Sequence, residues 1–257
     1  MIVNLKKIEI IVTKTQIVIL AAGQGKRLLP LTKNLPKTML KVNGVPIINH
    51  ILNSLDLKSI NEILILVGHN KDAVINYLKN DYKGIPIKYL NNPKHADTNS
   101  LYSLWMAKDM LKEKIIIINA DTIFHKKILE NLINSKHEAG LAIDDTIPAP
   151  LPEEAMKATI KDSRIIDVSK TIAAEKTNGD AIGIYKFSGN SLKILINELD
   201  RLISSSAIKQ LFTYAVRNIL NKTDVHSIST EGKAWIEIDD QNDLDAAQKL
   251  ITKILKD

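Results

Sequence analysis

Cysteine is absent from the 257 residues. That excludes thiol nucleophiles, disulfides and cysteine-ligated zinc, and it fits a reducing compartment such as the cytoplasm. Aromatic residues make up only 4% of the chain, and no block of Lys and Arg is interleaved with them. Nucleic acid is therefore a poor partner for it. No apolar run is long enough to cross a bilayer. The first residues set lysines ahead of an apolar stretch, as a leader peptide does, but Glu9, Lys14 and Gln16 interrupt that stretch. The expectation is a cytoplasmic chain with no membrane insertion. The six histidines (His50, His69, His95, His125, His137 and His226) contain no i,i+4 pair and have no cysteine partners, so they form no recognisable metal pattern. The P-loop pattern occurs nowhere. The dinucleotide fingerprint fails at its third glycine, a position held by Leu28, which disfavours a nicotinamide oxidoreductase.

What remains is ordinary globular composition, 45% hydrophobic and 25% charged. The formal net charge of +6 favours anionic partners, and so modest an excess suits a phosphorylated small molecule. Residues 16–37, QIVILAAGQGKRLLPLTKNLPK, organise the rest. A β-branched run at 17–20 reads as a buried strand. It breaks into Ala21, Ala22, Gly23, Gln24 and Gly25, small residues that leave backbone N–H groups open to a ligand, with Arg27 and Lys37 close behind. Exposed amides beside fixed positive charge suit a polyphosphate.

Beyond this cradle, strand and helix signals alternate. Strands are expected at 63–67, 85–90 and 115–118. Helices are expected after Pro46, over 70–78 (capped by Asn70, with Ala73, Val74, Tyr77 and Leu78 inward) and over 98–111, packing on Leu101, Leu104 and Trp105. Strands apolar on both faces imply a parallel sheet covered by helices. The second half changes character, with short strands at 141–143, 158–161, 165–168 and 182–187. Pro148, Pro150 and Pro152 make 144–154 a loop or lid. Helices at 191–203 and 207–221, strands at 225–229 and 235–238, and a helix from 241 follow. The fold class is α/β: a largely parallel, Rossmann-like sheet with helices on both faces and a smaller antiparallel part. No repeat or linker divides the chain, so it reads as one domain. Residues 1–14 form a peripheral extension (with an edge strand at 8–12), 15–140 a nucleotide-binding half and 141–257 an acceptor-binding half.

Asp121 falls just past a buried strand, where ligands of open α/β sheets gather. Asp239 and Asp240 follow the 235–238 strand. Each position also suits a helix N-cap. A triphosphate attacked at its α-phosphorus needs Mg²⁺, which one or two carboxylates commonly hold.

Several strings together carry a resemblance: L-A-A-G-x-G-x-R-L-x-P-L-T, P-K and V-N-G-x-P-I, then N-E-I-L-I-L-V-G, H-A-D-T-N-S-L-Y-S-L and I-E-I-D. From Ile17 onward the chain resembles the phosphocholine cytidylyltransferase group of the sugar-phosphate nucleotidyltransferases. The resemblance implies that Leu20 to Gly25, with Asn99 and Ser100, bind the nucleotide. It also implies that Arg27 and Lys37 serve catalysis and that Asp121 and Asp239 hold Mg²⁺, leaving Asp240 as a helix cap. Lys157 is a candidate for the acceptor phosphate and Asp180 for an acceptor hydroxyl or ammonium. No aromatic cage for a quaternary ammonium stands out. Acceptors such as inositol phosphate or aminoethylphosphonate therefore suit the second half better than choline phosphate. The expected activity is transfer of CMP from CTP to a small phosphorylated or phosphonylated alcohol. The alternatives are a hexose-1-phosphate thymidylyl- or guanylyltransferase, or an inactive regulatory protein on the same fold. Oligomeric state is left open, a homodimer included.

Overall fold

The computed structural model describes residues 14–256 apart from Ala149. The edge strand expected at 8–12 lies outside them, as does the extension through residue 13. The first half contains β1 (Thr15–Ala21), β2 (Lys41–Val42), β3 (Val45–Pro46), α1 (Ile47–Asn53), β4 (Ile60–Val67) and α2 (Lys71–Leu78). β5 (Asp81–Tyr82), β6 (Ile85–Asn91), α3 (Ser100–Met106), β7 (Lys114–Asn119), β8 (Thr122–Phe124) and α4 (Lys126–Asn134) complete it. The second half runs β9 (Ala139–Asp144), β10 (Lys157–Lys161), β11 (Arg164–Val168), β12 (Gly179–Ser188), α5 (Gly189–Ser204) and α6 (Phe212–Ile219). It ends with β13 (His226–Ser229), β14 (Trp235–Glu237) and α7 (Gln241–Ile254).

Both halves share one ten-stranded sheet in the order β10-β11-β13-β9-β12-β7-β1-β4-β6-β5. β1 pairs in parallel with β4 and β7, and β4 with β6. The wing beyond β7 is mainly antiparallel, built on β12, although β13 returns parallel to β9. Two-residue alternation explains the layers. Ile17 and Ile19 of β1, Ile63 and Ile65 of β4, and Ile116 and Ile118 of β7 enter one apolar core with α1, α2, α4 and α7. Val18, Leu64, Leu66, Ile115 and Ile117 point the other way, into a second core with α3, α5 and α6.

From β1 the chain moves through β4 to β6, then returns so that β7 lies on β1's other side. That reversal opens a crevice at the C-terminal ends of β1 and β7, the place where open α/β sheets bind ligands.

Several local expectations change. Asn70 makes no side-chain cap; it sits in the left-handed region (φ 46°) and its amide reaches His69 Nε2 at 2.9 Å. Tyr77 is 47% exposed, so Val74 and Leu78 carry the inner face of α2. α3 stops at Met106, and a separate 3-10 turn at Lys108–Met110 brings Lys108 to Asp200, which Trp105 Nε1 also holds. α6 starts at Phe212 rather than near 207, because the preceding backbone serves α3. Asn99 N–H donates to Ile208 O, and Leu101 N–H to Gln210 O.

Candidate active site

The segment after β1 turns at Gly25, whose φ of +67° is costly for any residue with a Cβ. A Cβ there would lie 2.9 Å from Lys37 Cβ. Thr32 Oγ1 donates to Gly25 O at 2.8 Å, closing the turn and holding Lys37 beneath it.

Two carboxylates meet at that lysine. β8 and β14 form a two-stranded antiparallel sheet in which Glu237 faces Thr122, and Ile238 N–H donates to Asp121 O at 3.0 Å. This register brings Asp121 and Asp239 side by side. Lys37 Nζ donates to Asp121 Oδ2 at 2.9 Å and to Asp239 Oδ1 at 2.6 Å. Burial works against the ammonium, but the two carboxylates outweigh it and raise its pKa. Arg27 reaches Asp239 Oδ2 at 2.6 Å and Glu154 at 3.6 Å. Burial would raise the pKa of Asp239, yet Lys37 and Arg27 bring it below the ordinary carboxylate value. As expected, Asp240 caps α7: its side chain accepts from Asp243 N–H at 3.0 Å.

Glu237 completes the acidic group and was not singled out by sequence reasoning. Oxygens of Asp121, Glu237 and Asp239 lie within 4.8 Å of one another. Burial and the two neighbouring aspartates push the Glu237 carboxyl well above its ordinary range. Asp121 Oδ1 is buried with no hydrogen-bond partner among the described residues. An all-oxygen donor set with one orphaned carboxylate oxygen fits a hard divalent cation such as Mg²⁺.

A cleft opens from this charged centre in two directions. One end is walled by Leu20, Ala22, Gly23, Asn92, His95, Thr98, Asn99, Ser100 and Ser103, none of them carrying formal charge. The other, toward β12 and β10, is walled by Glu154, Met156, Lys170, Ala181 and Tyr185, while Leu211, Phe212 and Thr213 join the lining beside Ser100, whose Oγ accepts from Phe212 N–H. The structure thus gathers Leu20, Ala22, Gly23, Arg27, Asn99, Ser100, Asp121 and Asp239 around one cleft. Ala21, Gly25 and Lys37 border an adjoining recess that also contains Asp121 and Asp239. Gln24 lines neither.

Lys157 and Asp180, expected at the acceptor, lie outside the cleft lining. They face each other in the β10–β12 pairing and are 5% and 6% exposed. Lys157 Nζ donates to Glu153 O at 2.8 Å and Lys170 O at 3.0 Å. Lys157 thereby ties together the loops bearing Glu154 and Lys170, which pair at 3.1 Å at the cleft. In the sequence Lys170 carries only the signal of a polar residue just past the 165–168 strand. Tyr185 and Phe212 meet edge to face, centroids 4.5 Å apart, but both are buried in the second core and form a floor rather than an open cage.

Residues 16–253 match the family described as nucleotidyl transferase. CTP:phosphoglutamine cytidylyltransferase of Campylobacter jejuni is 30% identical over 251 residues, covering 89% of this chain and 97% of that protein. Bifunctional protein GlmU of Methanococcus aeolicus is 30% identical over 239 residues, or 93% of this chain; the chain spans only 55% of GlmU's length. Among solved structures, the inositol-1-phosphate CTP transferase from T. maritima shares the fold, with a TM-score of 0.78 at 20% identity over 94% of this chain and 96% of that one. On the match along nearly its whole length, the chain belongs to the nucleotidyl transferase family.

Proposed function

We propose that the protein transfers CMP from CTP to a small phosphorylated or phosphonylated alcohol, in the presence of Mg²⁺, and releases pyrophosphate. The observation that carries this reading is Lys37 Nζ bound between Asp121 and Asp239 beneath the Gly25 turn. Such a centre offers a fixed cation and carboxylates around one point, which is what substitution at a phosphorus of a triphosphate requires.

The acceptor's anionic oxygen attacks the α-phosphorus, the bond to the β-phosphate oxygen breaks, and no general base is needed. The main-chain amides around Gly23 and Gly25 orient the triphosphate. Arg27 takes β- and γ-phosphate charge, and Lys37 the charge that grows at the α-phosphate. Mg²⁺ held by Asp121, Glu237 and Asp239 would supply further charge neutralisation. Lys170, which lines the cleft, would hold the acceptor phosphate, and Glu154 would meet a hydroxyl or ammonium on it. Retention of Arg27, Lys37 and both aspartates supports an active enzyme over a regulatory protein that has lost turnover. The preference for CTP rests on the cytidylyltransferase relative, which aligns along nearly its full length.

The test is a pyrophosphate-release screen of CTP, UTP, ATP, GTP and dTTP against inositol 1-phosphate, aminoethylphosphonate, phosphoglutamine, choline phosphate and glucose 1-phosphate. CTP with a hydroxyl- or amine-bearing acceptor should react fastest. Choline phosphate should react poorly, since its quaternary ammonium has no donor for Glu154 and Tyr185 with Phe212 is not an open cage. Reaction only of glucose 1-phosphate with dTTP or GTP would instead establish the hexose reading.

A further inference from the structure

Among the described residues, the uncharged end of the cleft has one ring nitrogen with no protein partner. It is walled on one side by residues following β6, and its side-chain acceptors are almost all committed within the protein. Asn92 Oδ1 accepts from Lys94 N–H at 2.9 Å, while its amide donates to Thr98 Oγ1 and Ser103 Oγ at 3.0 and 2.9 Å. Asn99 Oδ1 accepts from Ser100 N–H at 2.8 Å, and Ser100 Oγ from Phe212 N–H at 3.0 Å.

His95 differs. Its Nδ1 lies 3.2 Å from Asn92 O. A carbonyl oxygen only accepts, so Nδ1 carries a hydrogen, and in the imidazole form that tautomer leaves Nε2 as the acceptor. Nε2 has no partner among the described residues. The ring cannot easily turn away, because its root packs on Gly68: a Cβ on that glycine would lie 2.7 Å from His95 Cβ and 2.6 Å from Ala22 O. The same contacts put His95 against the segment that leads into the phosphate cradle.

We propose that His95 is a specificity-determining residue that selects a nucleobase bearing an exocyclic amino group, Nε2 accepting a hydrogen bond from that amino group. This rests on the nucleotidyl-transfer reading, in which the phosphates occupy the charged centre and the uncharged end receives the base. Cytosine places an amino donor where uracil places a carbonyl acceptor, so the locked tautomer attracts one and opposes the other. A site built around one polar partner rejects the analogue lacking it, because a buried polar atom is left unpaired.

The experiment is calorimetric binding of three triphosphates with Mg²⁺: CTP, UTP and the 4-unsubstituted pyrimidin-2-one nucleotide, which has neither the amino group nor the carbonyl. Wild type should bind CTP at least about tenfold more tightly than UTP, a difference of ~1.4 kcal/mol, with the pyrimidin-2-one compound between them. His95→Phe preserves the ring against Gly68 and should bring the three affinities to within about twofold. His95→Gln, whose amide both donates and accepts, should keep CTP and admit UTP. A purely structural role for His95 would weaken all three nucleotides equally in His95→Phe; that result overturns the proposal, as does wild-type affinity for UTP equal to that for CTP. Binding needs no turnover, so the two readings separate. Discrimination without transfer in the acceptor screen leaves His95 as base reader and removes the proposed activity. Transfer with an unchanged ratio in His95→Phe does the reverse. Absence of any CTP binding removes both.

Discussion

Lys37 and Arg27 touch the same carboxylate, but their settings differ. The Lys37 side chain is 13% exposed and bridges two aspartates, whereas that of Arg27 is 52% exposed. Lys37→Ala should therefore cut kcat by orders of magnitude with little change in CTP affinity, because its fixed charge matters most as the α-phosphate becomes crowded. Arg27→Ala should weaken binding of CTP much more than that of CMP. Steady-state kinetics alongside calorimetry with both nucleotides checks the pair, and equal losses for both variants on both nucleotides would contradict these placements. Asp180 allows a prediction of another kind. Burial, then the charge of Asp144, pushes its pKa up to about 6. An acid raised in the fold disfavours its own ionisation there, so its contribution is most favourable below about pH 4 and is lost as pH rises through 6. Asp180→Asn should thus be more stable than wild type at pH 8, by on the order of 2 kcal/mol, and the gap should close by pH 4. Urea midpoints at the two pH values measure it; an equal gap at both would contradict the assignment.

Elements rather than single side chains set the position of Asp239. Asp243 Oδ2 accepts from the N–H groups of Asp239 and Asp240 at 2.8 and 3.0 Å, while Asp240 Oδ1 accepts from Asp243 N–H. Asp240→Ala removes one cap and should cost about 1 kcal/mol of stability with activity preserved below the unfolding range. Asp243→Ala also frees the main chain at Asp239, and it should lower activity and raise the Mg²⁺ concentration needed for half-maximal rate. Equal activity in the two variants would show that the α7 cap does not position the site. This element was legible beforehand, because a capping aspartate beside a strand end leaves a signal in a few adjacent residues. Glu237 was not. It reads as the polar position of the 235–238 strand, and only the pairing of β14 with β8 turns it toward Asp121. The position of Lys157 outside the cleft lining was not legible for a related reason: alternation tells which residues share a face, not which face looks into the cleft. The β10–β12 register buries Lys157 and leaves Lys170, past the end of β11, to line it.

At the scale of the whole molecule, the parallel core was readable from strands apolar on both faces, since Ile17 and Val18 or Ile116 and Ile117 must each find a separate core. The return of β13 between β9 and β11 was not, because long-range pairing leaves no local trace. The sheet matters to function chiefly through its reversal at β1 and β7, which sets the Gly25 turn, Asp121 and the β8–β14 ribbon at one crevice. Every proposed role above assumes that this crevice performs one substitution at an α-phosphorus. The most direct measurement is ³¹P NMR of the protein with CTP and the best acceptor from the screen, with and without Mg²⁺. Pyrophosphate and a cytidine diphosphate diester should appear in equimolar amounts as CTP and acceptor disappear, only when Mg²⁺ is present and not with Asp121→Asn. Release of orthophosphate or CDP in place of pyrophosphate, or full activity in Asp121→Asn, would contradict it.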